Sequence, residues 1–129
     1  MTQTCPEITL RVPGDQAYAL VIRTMLGGVA LLKDLDMDAM DDLRTASDEA
    51  VDCLTHQGAA VRWLTLSVRD QGQSLEVSLE ADMDEPAAAA ASDPAMTRAV
   101  LETLIPQVRL TRSEAGRIRR VDLTLSKAV

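Results

Sequence analysis

Asp42-Leu43-Arg44-Thr45-Ala46-Ser47-Asp48-Glu49-Ala50-Val51-Asp52-Cys53-Leu54-Thr55-His56 is the stretch whose reading decides the fold. Its apolar and small residues recur at helical spacing. Met40, Leu43, Ala46, Ala50, Cys53 and Leu54 make one broad face, and Asp41, Arg44, Asp48 and Asp52 fall largely off it. The spacing predicts an amphipathic helix. Glu49 and Cys53 are four residues apart and lie one above the other, so the carboxylate stands at the margin of the buried face. Read by pattern alone, Glu49 is a helix-surface carboxylate; any further role depends on what surrounds it.

Working outward, Asp38 with Asp41 three residues on reads as a capping box for this helix, and Gly58 as its stop. Upstream, Ile8, Leu10 and Val12 alternate with Thr9 and Arg11 as in a half-buried strand, closed by Pro13-Gly14. Asp15 then caps a helix whose buried face reads Tyr18, Val21, Ile22, Met25, Leu26, Val29 and Leu32. Gly27-Gly28 inside it costs roughly 1 kcal/mol per glycine relative to alanine, which suggests close backbone packing or a bend. Lys33 to Asp36 is a connection.

Downstream the period changes from helical to alternating. Leu64, Leu66 and Val68 share one face, as do Leu75, Val77, Leu79 and Ala81, and Asp70-Gln71-Gly72-Gln73 between them predicts a hairpin. Pro86 and the alanines after it read as a loop. Asp93 and Pro94 open a helix with the stripe Met96, Val100, Leu101 and Leu104, ended by Pro106. Val108 and Leu110, then Val121, Leu123 and Leu125, form a second hairpin through Glu114-Ala115-Gly116. The order strand, helix, helix, strand, strand, helix, strand, strand implies an α+β two-layer sandwich. Three helices are expected on one face of a mainly antiparallel five-stranded sheet.

Composition narrows the function. The 129 residues suit a single domain, 1–129, with an aliphatic core, since the chain has one Trp, one Tyr and no Phe. A net charge of −7 is the wrong sign for general attachment to a phosphate backbone, so nucleic acid is not expected as a partner. No apolar run approaches the ~20 residues of a membrane span, and the first residues carry no secretory signal, so the expected location is the cytoplasm. Cys5, Cys53 and one histidine make no zinc set, and free thiols and no metal centre are expected. Arg109, Arg112, Arg117, Arg119, Arg120 and Lys127 crowd the last quarter while Asp34 to Asp52 is acidic; this reads as a solvated distribution or a partner-docking surface.

The chain resembles the RsbW-type anti-sigma factors and serine kinases of the GHKL (histidine kinase-like) ATPase superfamily, whose fold is called Bergerat-like. The resemblance lies in Ile8 to Pro13 with the Ile22-Arg23-Thr24-Met25-Leu26-Gly27-Gly28-Val29-Ala30 helix, in Asp42 to Ala50, and in Leu101 to Ile105 followed by Val108-Arg109-Leu110. It implies that Glu49 stands where the family places a general base, which must reach the proton it takes. It also implies that Cys53 occupies the position of the asparagine that binds magnesium, where a neutral thiol is a poor ligand for a hard cation. Asp82, with a one-residue slip, matches the aspartate that holds adenine, but the glycines after it are missing. The glycine-rich lid that wraps phosphates is replaced by Ala91-Ser92-Asp93-Pro94-Ala95-Met96-Thr97.

The nucleotide site by resemblance is thus Glu49, Cys53 and Asp82, in degenerate form. The implied function is an anti-sigma-factor-like regulatory protein that binds a sigma factor or the antagonist competing for it, without ATP turnover and without cofactor. The alternative is an active serine/threonine kinase, using ATP and magnesium with Glu49 catalytic, that phosphorylates the antagonist. A third reading is an α+β domain of unrelated role, since fold does not fix function. The resemblance also implies a homodimer through the first strand and its neighbouring helix.

Overall fold

The structure is a computed structural model, and it describes residues 7–86 and 94–127. The elements follow in the order β1 (Glu7–Pro13), α1 (Ala19–Leu32), α2 (Met37–Thr55), β2 (Ala60–Asp70), β3 (Ser74–Asp84), α3 (Ala95–Leu104), β4 (Gln107–Arg112) and β5 (Ile118–Ser126). The strands form one five-stranded sheet ordered β1-β2-β3-β5-β4, and every neighbouring pair is antiparallel. The two turns of the hairpins carry glycine where φ is positive, Gly72 and Gly116, both at +91°. Gly14 is required for another reason. A Cβ there would overlap the Val61 carbonyl, because the Gly14 N–H donates to the Arg62 carbonyl oxygen at 3.0 Å.

Strand period two sorts the sheet into an apolar and a polar face. Leu64, Leu66, Val68, Leu75, Val77, Leu79, Ala81, Val121, Leu123 and Leu125 are buried in one core with Leu43, Ala46, Ala50 and Leu54 of α2. All three helices lie on that side, with α2 in the middle against β2, β3 and β5, and α1 and α3 on its flanks. The other face carries rows of charge and hydroxyls. Glu7, Arg69 and Glu76 are aligned across three strands, as are Ser67, Ser78, Asp122 and Arg109 across four. Two β-bulges add Arg62 to β2 and Arg119 to β5, and each extra residue turns its guanidinium onto carboxylates of β3.

Several expectations are corrected. Asp36, not Asp38, caps α2, its carboxylate accepting the Ala39 N–H at 2.7 Å, so the helix starts two residues earlier than the capping-box reading placed it. It ends at Thr55, with Gly58 beyond it in a left-handed conformation. Asp15 caps a single 3-10 turn, Gln16–Tyr18, ahead of α1. The buried face of α1 is Ile22, Leu26, Val29 and Ala30; Tyr18, Val21 and Leu32 are exposed. Gly27 and Gly28 serve neither close packing nor a break, since α1 runs through them and nothing lies within 4 Å of a Cβ at either. Gly28→Ala is therefore expected to stabilise the fold by about 0.5–1 kcal/mol, read as a raised denaturation midpoint; a lowered midpoint would mean that Gly28 meets a neighbour in solution. On α3 only Leu101 is buried and Met96 faces solvent, while Pro94 sits at the cap position. Cys5, Asp93 and the alanines 87–91 lie outside the described residues; Cys53 is a free thiol.

Candidate functional site

α2 carries both helix-borne candidates on the flank that faces α3. Glu49 and Cys53 are each half-buried there. Thr97, in the first turn of α3, sits beside the Cys53 sulfur. Burial pushes the thiol above its ordinary pKa, Thr97 works against that, and the charges of Glu49 and Asp52 push it further up. Cys53 is therefore a protonated, neutral group at pH 7, and a neutral thiol does not suit magnesium, which takes hard oxygen donors in near-octahedral geometry. Asp52 does not substitute for it. Its carboxylate points around the helix to His56 Nδ1 at 3.0 Å and Gln16 Nε2 at 3.3 Å.

The third candidate is separated from the other two by the sheet itself. Asp82 pairs in register with Trp63 on the polar face and accepts from Arg62 at 2.8 Å, with Asp84 on the same guanidinium. The positions on its strand that face the helices are Ala81, which is buried, and Met83, which packs against the core. A one-residue slip along a strand exchanges its faces, so the residue that satisfies the motif in sequence points away from Glu49 and Cys53 in space. Of the lid, residues 91–93 lie outside the described residues, and Ala95, Met96 and Thr97 form the first turn of α3.

The basic last quarter is largely neutralised within the fold. Arg117 is buried, its Nε–H donating to the Gln57 carbonyl oxygen at 2.8 Å. Arg119 pairs with Glu80 at 3.0 Å and Arg120 with Asp122 at 3.0 Å, and Asp122 also accepts from the buried Ser78 hydroxyl at 2.7 Å. Lys127 and Lys33 both hold Asp70, whose carboxyl lies well below its ordinary range because of Lys127 first and Lys33 second. That contribution to stability is present above the ordinary carboxylate range and is lost as pH falls through the depressed value.

The feature that sequence reading missed is the outer side of α1. Leu20, Leu31 and Leu32 are 61%, 69% and 76% exposed, with Thr24 and Gly28 between them. Leu20, Val21, Thr24 and Met25 line a shallow cavity of about 460 Å³ with Leu10 of the edge strand β1. Three leucines open along one helix are more apolar surface than singly scattered exposed residues account for. The signal was present in sequence: α1 is apolar nearly all round, which a helix covered on one side only does not need.

The comparisons bear on the fold. A solved structure of the RsbU and RsbW domains of Rv1364c from Mycobacterium tuberculosis superposes with a TM-score of 0.71 at 16% identity, covering 95% of this chain and 32% of that one. This is the fold of an RsbW-type domain. The chain spans about a third of the length of that structure's chain. No protein-family model matches it, and no curated protein does. Among the described residues no helix is long and apolar enough to cross a membrane.

Proposed function

We propose that this protein is an anti-sigma-factor-like regulator of the cytoplasm that binds a sigma factor or its antagonist by protein–protein contact and does not turn over ATP. The observation that carries the second half is the half-buried Cys53: the atom standing at the position of the metal ligand is a neutral thiol, its pKa raised by burial. Asp82 on the far side of the sheet supports the same reading. The partner-binding half is supported by the exposed apolar side of α1. A pull-down from the native cytoplasm tests it, with a sigma factor or an antagonist-like protein as the expected prey; prey of neither kind would leave the third reading, an RsbW-like fold put to other use.

The nucleotide half has its own test. A ligand at a hundred times its dissociation constant stabilises the folded state by about 2.7 kcal/mol, a melting shift of several degrees for a chain of this size. Millimolar Mg-ATP is expected to give no shift, and Cys53→Asn is expected to recover little. The serine/threonine kinase alternative is favoured by one observation, Glu49 half-buried at the position of the general base. A magnesium-dependent shift, or phosphate transfer lost in Glu49→Gln, establishes that alternative instead.

The edge strand β1 supports a homodimer. A register centred on Thr9 sets Glu7 opposite Arg11 of a second copy on the polar face, and Ile8 opposite Leu10 on the apolar one. Pairing in this way protects the edge and brings the apolar sides of two α1 helices together. Light scattering at tens of micromolar is expected to give twice the monomer mass, falling to one in Ile8→Lys; a monomer mass for the unaltered chain removes the proposal.

A further inference from the structure

The face of the sheet turned away from the helices holds a hollow of about 560 Å³, walled by β3, β5 and β4. That is the size of a small-molecule site. Three rows of side chains in register run across it: Glu76, Thr124 and Gln107; then Ser78, Asp122 and Arg109; then Glu80, Arg120 and Thr111. The self-pairing edge β1 is at the other end of the sheet, and Glu49 and Cys53 of α2 lie on its other face. The hollow is therefore independent of both.

Every carboxylate in these rows is engaged. Asp122 accepts from Arg120 of its own strand at 3.0 Å and from the Ser78 hydroxyl of β3 at 2.7 Å, so it is taken from the side away from Arg109, its cross-strand neighbour on β4. Glu80 holds Arg119 at 3.0 Å, and Glu76 accepts from Gln71 at 3.0 Å. The donors on the β4 side are not engaged. Among the described residues the side chains of Gln107, Arg109, Thr111 and Thr124 make no hydrogen bond and no ion pair, although all four line the hollow. One wall thus presents a guanidinium, a carboxamide and two hydroxyls with no acceptor of the protein to meet them.

We propose that the hollow binds a small oxyanion that carries hydroxyl groups at its other end, the chemistry of a phosphorylated polyol. Arg109 stands in the middle row and supplies the planar fork that suits a phosphate, with Gln107, Thr111 and Thr124 beside it as donors to the remaining oxygens. The opposite wall is set by β3, two strands away and so about 10 Å across the sheet. Its Glu76 and Glu80 accept hydroxyl groups and repel a second negative charge, so the ligand is charged at one end only. Between the walls the bonded floor of Ser78, Asp122 and Arg120 holds the strands in fixed register.

The experiment is a titration of isotope-labelled full-length protein with glycerol 1-phosphate at low salt, followed by amide chemical shifts. Saturable shifts are expected along 107–111 of β4 and 120–124 of β5. Arg109→Gln is expected to weaken binding about tenfold or more, which is the loss of one charge-assisted hydrogen-bonding group. Arg109 is exposed, so the variant keeps its fold, and the same spectra check this. Glycerol is expected not to bind, and inorganic phosphate to bind more weakly than glycerol 1-phosphate because nothing of it meets Glu76 and Glu80. The proposal is overturned if glycerol 1-phosphate gives no saturable shifts, if its shifts centre on the first turn of α3 instead, if Arg109→Gln binds unchanged, or if inorganic phosphate binds as tightly.

Discussion

Exchange of Gln57 for leucine is expected to lower the stability of the fold by about 3 kcal/mol, out of proportion to a residue just past a helix end. β5 pairs with β3 only as far as Glu80 and Arg120, and beyond that point the side of Ile118 turned from β4 has no strand partner. The buried carboxamide of Gln57 takes the strand's place. Its Oε1 accepts the Ile118 N–H at 2.6 Å and its Nε2–H donates to the Ile118 carbonyl oxygen at 2.8 Å, while its own carbonyl oxygen accepts Arg117 Nε–H. Leucine fills a similar volume but leaves a buried amide and a buried carbonyl without partners, at about 1–3 kcal/mol each. Denaturant unfolding measures the loss. A cost under about 1 kcal/mol would mean that water reaches Ile118 or that β3 and β5 re-pair there.

Leu54→Ala is expected to cost still more, about 3–4 kcal/mol, because the site cannot collapse around the missing atoms. Leu54 is fully buried in the last turn of α2, in the same core as Leu64, Leu66, Val77 and Leu123 of the sheet. Helix and sheet are both held by many other residues, so neither moves in to fill the void and a cavity term adds to the transfer term. For a domain of this size the drop in melting temperature is about 10 °C or more. Scanning calorimetry on the variant tests it; an unchanged midpoint would place α2 elsewhere than on the sheet.

The two variants also mark how far a linear reading reaches. Leu54 was legible because burial on one side of a helix or strand repeats along the chain at 3.6 or 2 residues, and the same rule found all five strands, all three helices and the single helical layer. Gln57 was not legible. Its role exists only because the pairing of β3 with β5 stops at Arg120, next to the bulge between β4 and β5, and the end of α2 comes to lie over the gap, a meeting of residues sixty-one apart in sequence. Arg117 has the same history: in sequence it is one cation in a basic tail, and in space it is a buried donor. The helix caps failed on a smaller scale, since Asp36 and Asp38 are equally good acceptors and local chemistry does not choose between them.

For the candidate site the division is sharper. Sequence by itself determined which residue types are available on α2, a carboxylate at Glu49 and a thiol at Cys53, since residue type is fixed before any tertiary contact forms. Tertiary structure alone decided that Cys53 is half-buried on the flank of α2 beside α3, that Asp82 belongs to the other face of the sheet, and that the apolar excess of α1 lies open. The physical reason is the same for each. Residue type sets what a group can do, but the face of a strand, the partner of a charge and the cover over a helix are set by elements far away in the chain.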